Sequence, residues 1–219
     1  MATRELLAEL ARLCEKELAQ PVIAEAAGGV DVAKRVQSGE AVDIVVLASN
    51  VIDSLIGEGR LLVGSRVDVV KSGIGIAVGK GAKRYDINSE TAVKDAVVAA
   101  RSLSYSTGPS GNYLKQLFER WGILQSIQSR IVVPPPGVPV GTLVAKGECE
   151  LGFQQMSELI NLPGIDLLGP LPPSIQTLTI FSAGVSSGSH APDAARRVLE
   201  YMASPVVADL KKRFGMEAA

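Results

Sequence analysis

The segment SYSTGPSGNYLKQLFERWGI, Ser104 to Ile123, passes from hydroxyl residues and glycines into the apolar periodicity of an amphipathic helix. It carries no positively charged side chain before Lys115. A helix N-terminus leaves backbone N–H groups unpaired and carries a partial positive charge, so it is a preformed place for an anion. The segment therefore predicts a strand and then a helix, whose first turn either binds an anion through neutral donors or is capped by Ser110 or Thr107.

The residues before this segment alternate between strand and helix patterns. Strands are predicted at PVIAEAAGG (21–29) and AVDIVVLAS (41–49), and helices at ATRELLAELARLCEKELAQ (2–20), VDVAKRVQSGE (30–40) and VIDSLIGEGRLL (51–62). This alternation predicts a mainly parallel α/β sheet. The segment RVDVVKSGIGIAV (66–78) fits either one long strand or a chain that passes between two lobes at its glycine-bearing break.

The residues after the opening segment continue the alternation. Strands are predicted at IVVPP (131–135), ELGFQQ (150–155), GIDLLGPLP (164–172) and QTLTIFSAGV (176–185), and helices at GTLVAKGE (141–148), MSELIN (156–161), APDAARRVLEYMAS (191–204) and PVVADLKKRF (205–214). Pro192 and Pro205 stand near the starts of the last two helices, where a missing N–H costs nothing.

Composition and charge limit the class of protein. With 219 residues, of which 47% are hydrophobic and 21% charged, the chain can bury a sizeable core in two lobes or in one larger sheet domain. The formal net charge is −1, and no basic cluster is longer than Lys211–Arg213. The electrostatic pattern of a nucleic-acid binder is therefore missing, and we expect no nucleic acid as a partner.

The sequence as given predicts neither a membrane span nor a secretory signal. No apolar run reaches the roughly 18 residues that a span needs, and the first 20 residues lack the apolar core of a signal. We therefore expect no direct membrane insertion. The expected location is cytoplasmic for the chain as given, or periplasmic if a signal was removed.

The sequence lacks the residue patterns of several common kinds of active site. GPSGN resembles a nucleophile elbow, but Asn112 stands where the motif has its last glycine, and His190 lies in a predicted loop. The glycines lack dinucleotide-binding spacing and no Walker loop occurs. Cys14 and Cys149 are far apart, which favours buried free thiols over a zinc site. We expect no cofactor and no metal, and the residues identify no catalytic group.

The opening pattern recurs at other predicted helix starts. Small or hydroxyl residues stand at four of them: Thr3, the pair Gly28 and Gly29, Ser110 with Gly111, and Val140 with Gly141. In open α/β sheets, ligands bind at the edge formed by the carboxyl ends of the strands. Four such starts directed at one cleft predict a binding site for a small anionic ligand.

Four blocks of the sequence, in this order, resemble the solute-binding proteins of molybdate ABC importers, which have the type II periplasmic-binding-protein fold. The blocks are GGVDVAKRVQSGEAVDIVVLAS, STGPSGNYLKQLFERWGI, GVPVGTLVAKGECELGFQQMSEL and LTIFSAGV. The resemblance implies a two-lobed α/β fold with a central cleft, in which residues 1–72 plus 183–219 form lobe one and residues 73–182 form lobe two. It also implies the membrane subunits of an ABC importer as partners.

The resemblance further implies which residues hold the ligand. In that family hydroxyls and backbone amides bind the oxyanion. Carried over by position, the ligand residues are Thr3 or its neighbour Ala2, Gly28 and Gly29 where the family more often has a serine, Ser110 and Gly111, Val140 and Gly141, and Gln155 where the family has a tyrosine. Members usually have a further strand before the segment that aligns with MATRELL.

A related branch of this fold resembles aconitate isomerase, so the alternative function is an isomerase of a small unsaturated organic acid. Carboxylate contacts could come from Arg4, Tyr105, Gln154, Gln155 and Ser182. Such an isomerisation needs a positioned acid/base group. The candidates for that group are Tyr105, Lys71 and Glu25. A third alternative is a ligand-sensing module that works with a partner protein.

Overall fold

A computed structural model describes residues 2–135 and 137–219 of the chain. Its helices are α1 Arg4–Leu18, α2 Gly29–Gln37, α3 Ser49–Gly57, α4 Glu90–Ala99, α5 Pro109–Arg120, α6 Leu124–Ile127, α7 Val140–Ala145, α8 Met156–Leu159, α9 Pro192–Ala203 and α10 Ala208–Arg213. Its strands are β1 Ile44–Ala48, β2 Val67–Gly79, β3 Leu103–Tyr105, β4 Leu151–Gln155, β5 Ile165–Pro170, β6 Leu178–Val185 and β7 Glu217–Ala218. Short 3₁₀ turns follow α6 and precede α10.

The chain forms two compact units. Unit one contains Met1–Ser72 and Thr179–Ala219, and unit two contains Gly73–Leu178. The sequence placed the second boundary after residue 182, a little later than this division. Strands β2 and β6 each contain one of the two boundaries, so unit one is built from two segments that are distant in sequence, whereas unit two is one continuous segment.

In unit one, a small sheet is covered by long amphipathic helices. The strand order is β1, β6, β2, and β7 pairs antiparallel with the start of β2 at Val70 and Lys71. Helix α1 buries Leu6, Leu10 and Cys14 in the cluster that also takes the apolar face of α9. Because each fully buried leucine contributes about 1.5–3 kcal/mol, this face is enough to hold α1 in place.

In unit two, β2 lies in the middle of a sheet with the order β5, β2, β4, β3. Strand β2 runs antiparallel to β4 and β5, whereas β3 and β4 are parallel. The rings of Phe118 on α5 and Phe153 on β4 meet edge to face, with centroids 6.1 Å apart, in the largest apolar cluster of the unit. This contact fixes α5 against the sheet directly after β3.

The prediction of a mainly parallel sheet is wrong. Strand β1 is antiparallel to β6, and β2 is antiparallel to β4, β5 and β7, whereas β3 and β4 are parallel. An alternation of helix and strand patterns does not show strand direction. Strand β2 is one continuous strand, and the boundary between the two units falls inside it, between Ser72 and Gly73, as the second of the two alternatives predicts.

Two predicted strands are also wrong. Residues 20–28 have no regular structure, and Ile23 is 94% exposed. A strand needs a neighbour to pair its backbone, and among the described residues β1 is paired only with β6. At IVVPP only Ile131 forms a bridge, to Leu103, because the prolines that follow have no N–H to donate. Helix α4, which the patterns did not predict, is capped by Ser89.

Candidate functional site

The two parallel strands of unit two end at the same edge of its sheet. Tyr105 at the end of β3 lies opposite Phe153, two residues before the end of β4. The residues that follow, Ser106–Gly111 and Gln154–Glu158, are therefore neighbours at this edge. We call these two stretches the carboxyl edge of unit two.

The first turn of α5 is held by hydroxyls but not by a conventional cap. The N-cap position belongs to Gly108, which makes no side-chain capping bond. Ser110 Oγ lies 3.0 Å from Ser106 Oγ, and the Gly108 N–H donates to Ser106 Oγ at 3.3 Å. Neither Ser110 nor Thr107 occupies the N-cap position. The first N–H groups of α5 therefore have no partner within the helix, as is usual at a helix start.

Close packing explains why position 111 is a glycine. A Cβ atom there would lie 1.5 Å from the carbonyl oxygen of Ser106, so no larger residue fits without a backbone shift. Gly141 is similar, since its Cβ would lie 2.4 Å from Leu162. The glycines at these predicted ligand positions therefore bring chain segments into close contact, whether or not they also bind a ligand.

A buried glutamine connects α7 with β4. The Gly141 N–H donates to Gln154 Oε1 at 3.2 Å, and Gln154 is only 3% exposed. The predicted donor at Gly141 is thus already engaged by a side chain, and the neighbouring Val140 is fully buried in an apolar cluster.

Glu158 is a functional candidate that the sequence analysis missed. It stands on α8, three residues after the predicted ligand residue Gln155, and it is partly buried. Burial, the largest cause, raises the pKa of its carboxyl group. Next to it, Ser157 Oγ is buried and finds no hydrogen-bond partner in the part of the chain that the structure describes.

In unit one the predicted ligand residues also stand at helix starts. Thr3 is the N-cap residue of α1, is 8% exposed and makes no side-chain capping bond, whereas Arg4 is exposed. Gly28 and Gly29 begin α2, and a Cβ on Gly28 would lie 3.1 Å from a carboxylate oxygen of Asp31. A carboxylate therefore already lies at the start of α2, which weakens the attraction of that helix end for an anion.

The acid/base and carboxylate-binding candidates named from the sequence mostly have structural partners. Glu25 pairs with Arg35 at 3.0 Å, and Lys71 pairs with Glu217 at 3.5 Å. The Ser182 hydroxyl donates to Asp68 at 2.6 Å. Burial, together with the charge of Glu119, raises the pKa of Tyr105. These side chains are therefore held by neighbouring residues. The acidic side chain at the carboxyl edge is that of Glu158.

A separate cavity of about 360 Å³ lies on unit two. It is lined by Tyr105, Lys115, Leu124, Gln128, Ile131 and Val133. Val133 is 56% exposed, so the cavity is a surface depression rather than an enclosed site.

Three simple expectations can be compared with the described residues. Cys14 and Cys149 are buried free thiols, as predicted, and burial raises the pKa of both. Within residues 2–135 and 137–219, no group of His, Cys, Asp or Glu side chains could hold a metal ion. In the same residues, every helix is too short or too polar to cross a membrane.

Comparison with known proteins decides the family. The family model described as bacterial extracellular solute-binding protein matches residues 1–217. The chain belongs to this family. This solute-binding protein is also 40% identical to an aconitate isomerase from Pseudomonas sp. over 171 residues, which make up 78% of the chain and 65% of the relative. The match thus spans less than two thirds of that relative's length.

Solved structures show the same fold. The periplasmic molybdate-binding protein of Azotobacter vinelandii superimposes with a TM-score of 0.79 at 19% identity, over 98% of this chain and 95% of the other. A periplasmic thiamin binding protein gives a TM-score of 0.68 at 16% identity, over 89% of this chain and 72% of the other. The resemblance to the molybdate-type solute-binding proteins is therefore confirmed, and the fold is the α/β fold of periplasmic binding proteins.

Proposed function

We propose that this solute-binding protein binds a small oxyanion or carboxylate through neutral donors at the carboxyl edge of unit two. The carboxyl edge of unit two is the observation that carries the proposal. The hydroxyls of Ser106 and Ser110 lie there, at the first turn of α5. These groups can donate hydrogen bonds to an anion without a lysine or arginine.

The ligand class that we favour is a small carboxylate. Gln155 stands where the molybdate-type proteins have a tyrosine, and Gln154 precedes it, so two amide side chains lie at the end of β4. The relative at 40% identity is named for aconitate, a small tricarboxylate. Amide N–H groups suit carboxylate oxygens, whereas a molybdate-type oxyanion remains the second ligand class.

The energetic basis would be fixed dipoles in a site from which water is excluded. A hydrogen bond to a charged acceptor contributes about 1.5–3 kcal/mol. We place the protein in the periplasm with the membrane subunits of an ABC importer as partners, because its family is that of extracellular solute-binding proteins.

An isomerase of a small unsaturated acid is the second candidate function. Two observations favour it: the identity to aconitate isomerase, and a partly buried carboxyl group, Glu158, at the carboxyl edge. A binding protein needs no acid/base group, whereas an isomerase does.

Thermal unfolding with a ligand panel tests the proposal. The panel contains molybdate, tungstate, sulfate, citrate, cis-aconitate and trans-aconitate, and the control is His190→Ala, which changes an exposed residue outside the proposed site. A ligand present at about 100 times its Kd stabilises the folded protein by about 2.7 kcal/mol. The expected rise of the midpoint is therefore about 5–10 °C, equal in the wild type and the control. No shift with any panel member would contradict the proposal.

A further inference from the structure

The surface cavity of unit two has the size of a site for a small molecule. Its volume is about 360 Å³, and its lining residues come from the end of β3, from α5 and α6, and from the chain that follows α6. Ligand sites in proteins have volumes of about 300–1,000 Å³, so the cavity can hold a small ligand that stays in contact with solvent.

Part of the cavity lining is aliphatic. Leu124 and Ile131 are half-buried and pack against the largest apolar cluster of the unit, so their positions are fixed by the fold. Val133 is 56% exposed and has its side chain largely in water. An apolar group that lies against these three residues removes apolar surface from water, which favours binding.

Three polar side chains of the lining are free to bind a ligand. They are the phenol of Tyr105, the ammonium of Lys115 and the amide of Gln128. Within residues 2–135 and 137–219, none of these three polar groups has a hydrogen bond or an ion pair. Each of them can donate a hydrogen bond to oxygen, so the lining offers three donors to an acceptor such as a carboxylate.

Two other cations near α5 and α6 are already engaged by the protein. Lys94 Nζ donates to the carbonyl oxygen of Trp121 at 3.2 Å, and Arg120 pairs with Glu90 at 3.3 Å. The charge of Lys115 is instead available to a ligand. Because hydrogen bonds between charged groups are roughly twice as strong as neutral ones, the cavity favours an anionic acceptor over a neutral one.

Tyr105 is a rigid part of the lining. Its ring meets the ring of Phe118 edge to face, with centroids 6.0 Å apart, and its Cδ2 lies 3.2 Å from the position that a Cβ on Gly111 would take. Burial, together with the charge of Glu119, raises the pKa of Tyr105, so the phenol stays protonated at neutral pH and can donate. The same negative charge disfavours a ligand with a second carboxylate.

We propose that this cavity is a second ligand site, which binds a small monocarboxylate with an apolar body. The carboxylate pairs with Lys115 and accepts hydrogen bonds from Tyr105 and Gln128, while the apolar body lies against the aliphatic part of the lining. Of the described residues that line the cavity, none is a hydroxyl residue of the carboxyl edge such as Ser106 or Ser110. The site therefore goes beyond the anion site of the proposed function.

A chemical-shift titration of the ¹⁵N-labelled full chain with phenylacetate tests the proposal. Phenylacetate carries one carboxylate on an apolar ring, and phenylacetamide has nearly the same shape without the charge. A solvent-exposed site of this kind is expected to have a Kd of about 1 mM, so about 10 mM ligand nearly saturates it. Phenylacetate should shift the amide signals of the lining residues and bind at least about fivefold more tightly than phenylacetamide. No shift at the cavity, or equal binding of the two compounds, would overturn the proposal.

Two matched lysine variants test the carboxylate contact. Lys115→Met removes the charge and keeps the length of the side chain, and it should weaken phenylacetate binding about 5–10-fold. Lys80→Met removes the same charge from an exposed lysine of unit two that does not line the cavity, and it should bind like the wild type. Both lysines are exposed, so neither change disturbs the core. Binding by Lys115→Met within about twofold of the wild type would overturn the carboxylate contact and the proposal with it.

A competition experiment separates this site from the anion site of the proposed function. The phenylacetate titration is repeated with 10 mM trans-aconitate, at about ten times a Kd of about 1 mM. The shifts at the cavity should be the same with and without trans-aconitate, even if trans-aconitate itself fails to bind. Displacement of phenylacetate by trans-aconitate would show that one site serves both compounds, which overturns the second site and leaves the proposed function standing.

A variant that fills the cavity gives an independent check. Val133→Trp places a large side chain at an exposed position of the lining, where it can occupy the cavity without entering the core. Phenylacetate binding should be lost in this variant, while its thermal midpoint stays that of the wild type. Wild-type affinity in Val133→Trp would overturn the assignment of the ligand to this cavity.

Discussion

At the scale of single residues, the carboxyl edge of unit two combines a glutamate with neutral donors. The Gln154 side chain accepts a hydrogen bond from the Gly141 N–H and thereby joins β4 to α7.

Glu158→Gln is expected to stabilise the protein at pH 7. The folded-state pKa of Glu158 is raised, so its contribution to stability is complete below the unfolded-state value of about 4.3 and is lost as the pH rises through the folded-state value. A glutamine side chain stays neutral as the pH rises, so the variant does not lose this contribution. Thermal unfolding of the wild type and the variant at pH 4 and pH 7 measures the effect.

The expected result is a higher midpoint for Glu158→Gln at pH 7 and a smaller difference at pH 4. Glu148→Gln, on an exposed position, should leave the midpoint unchanged at both values. A lower midpoint of Glu158→Gln at pH 7 would mean that the fold stabilises the ionised carboxylate, against the direction given by its burial.

The sequence could predict Ser110 as a candidate because it stands at the start of a strongly periodic helix. It could not predict Glu158, since MSELIN reads as an ordinary short helix and a lone glutamate on a helix is usually solvated. Its partial burial is a property of the folded chain that the local pattern does not show.

At the scale of elements, α5 depends on close packing at its first turn. Gly111→Ala would place a Cβ atom 1.5 Å from the Ser106 carbonyl oxygen, so the backbone must move. We expect Gly111→Ala to lower the free energy of unfolding by at least about 1–3 kcal/mol, as measured by denaturant titration. Gly57→Ala is the control, because nothing lies within 4 Å of its Cβ, and equal stability of the two variants would contradict this packing.

Helix α10 of unit one contains a buried lysine. Lys211 is 0% exposed, and its Nζ has no hydrogen-bond partner among residues 2–135 and 137–219. Burial lowers its pKa, so the folded state disfavours the charge, and the stability present above the unfolded-state value near 10.4 is lost as the pH falls. Lys211→Met should therefore raise the free energy of unfolding at pH 7 by about 1–3 kcal/mol.

Denaturant unfolding at pH 7 and pH 10 measures this effect. The gain from Lys211→Met should be smaller at pH 10, where the wild-type amine is neutral at less cost. Lys212→Met serves as the control, because the Lys212 side chain is 72% exposed. A destabilised Lys211→Met protein would show that the amine has a favourable partner.

The elements also show where sequence patterns fail. Helices such as α1 and α9 were predicted because their apolar faces repeat with helical spacing. The strand at residues 21–29 was not formed, since a strand depends on a neighbour that local sequence does not reveal. Strand direction was wrong for the same reason: β2 and β6 pair antiparallel with segments that are distant along the chain.

At the scale of the whole molecule, two compact units share the chain, and both carry predicted ligand residues. Thr3, Gly28 and Gly29 belong to unit one, whereas Ser110, Gly111 and Gln155 belong to unit two. The central claim is that neutral donors, foremost Ser110 at the start of α5, hold the anion.

Isothermal titration of the wild type and Ser110→Ala with trans-aconitate and molybdate tests this claim most directly. Loss of a hydrogen bond to a charged acceptor costs about 1.5–3 kcal/mol, so Ser110→Ala is predicted to bind the preferred anion about 10–100-fold more weakly. His190→Ala is predicted to bind it like the wild type. Equal affinity of Ser110→Ala and the wild type would contradict the account.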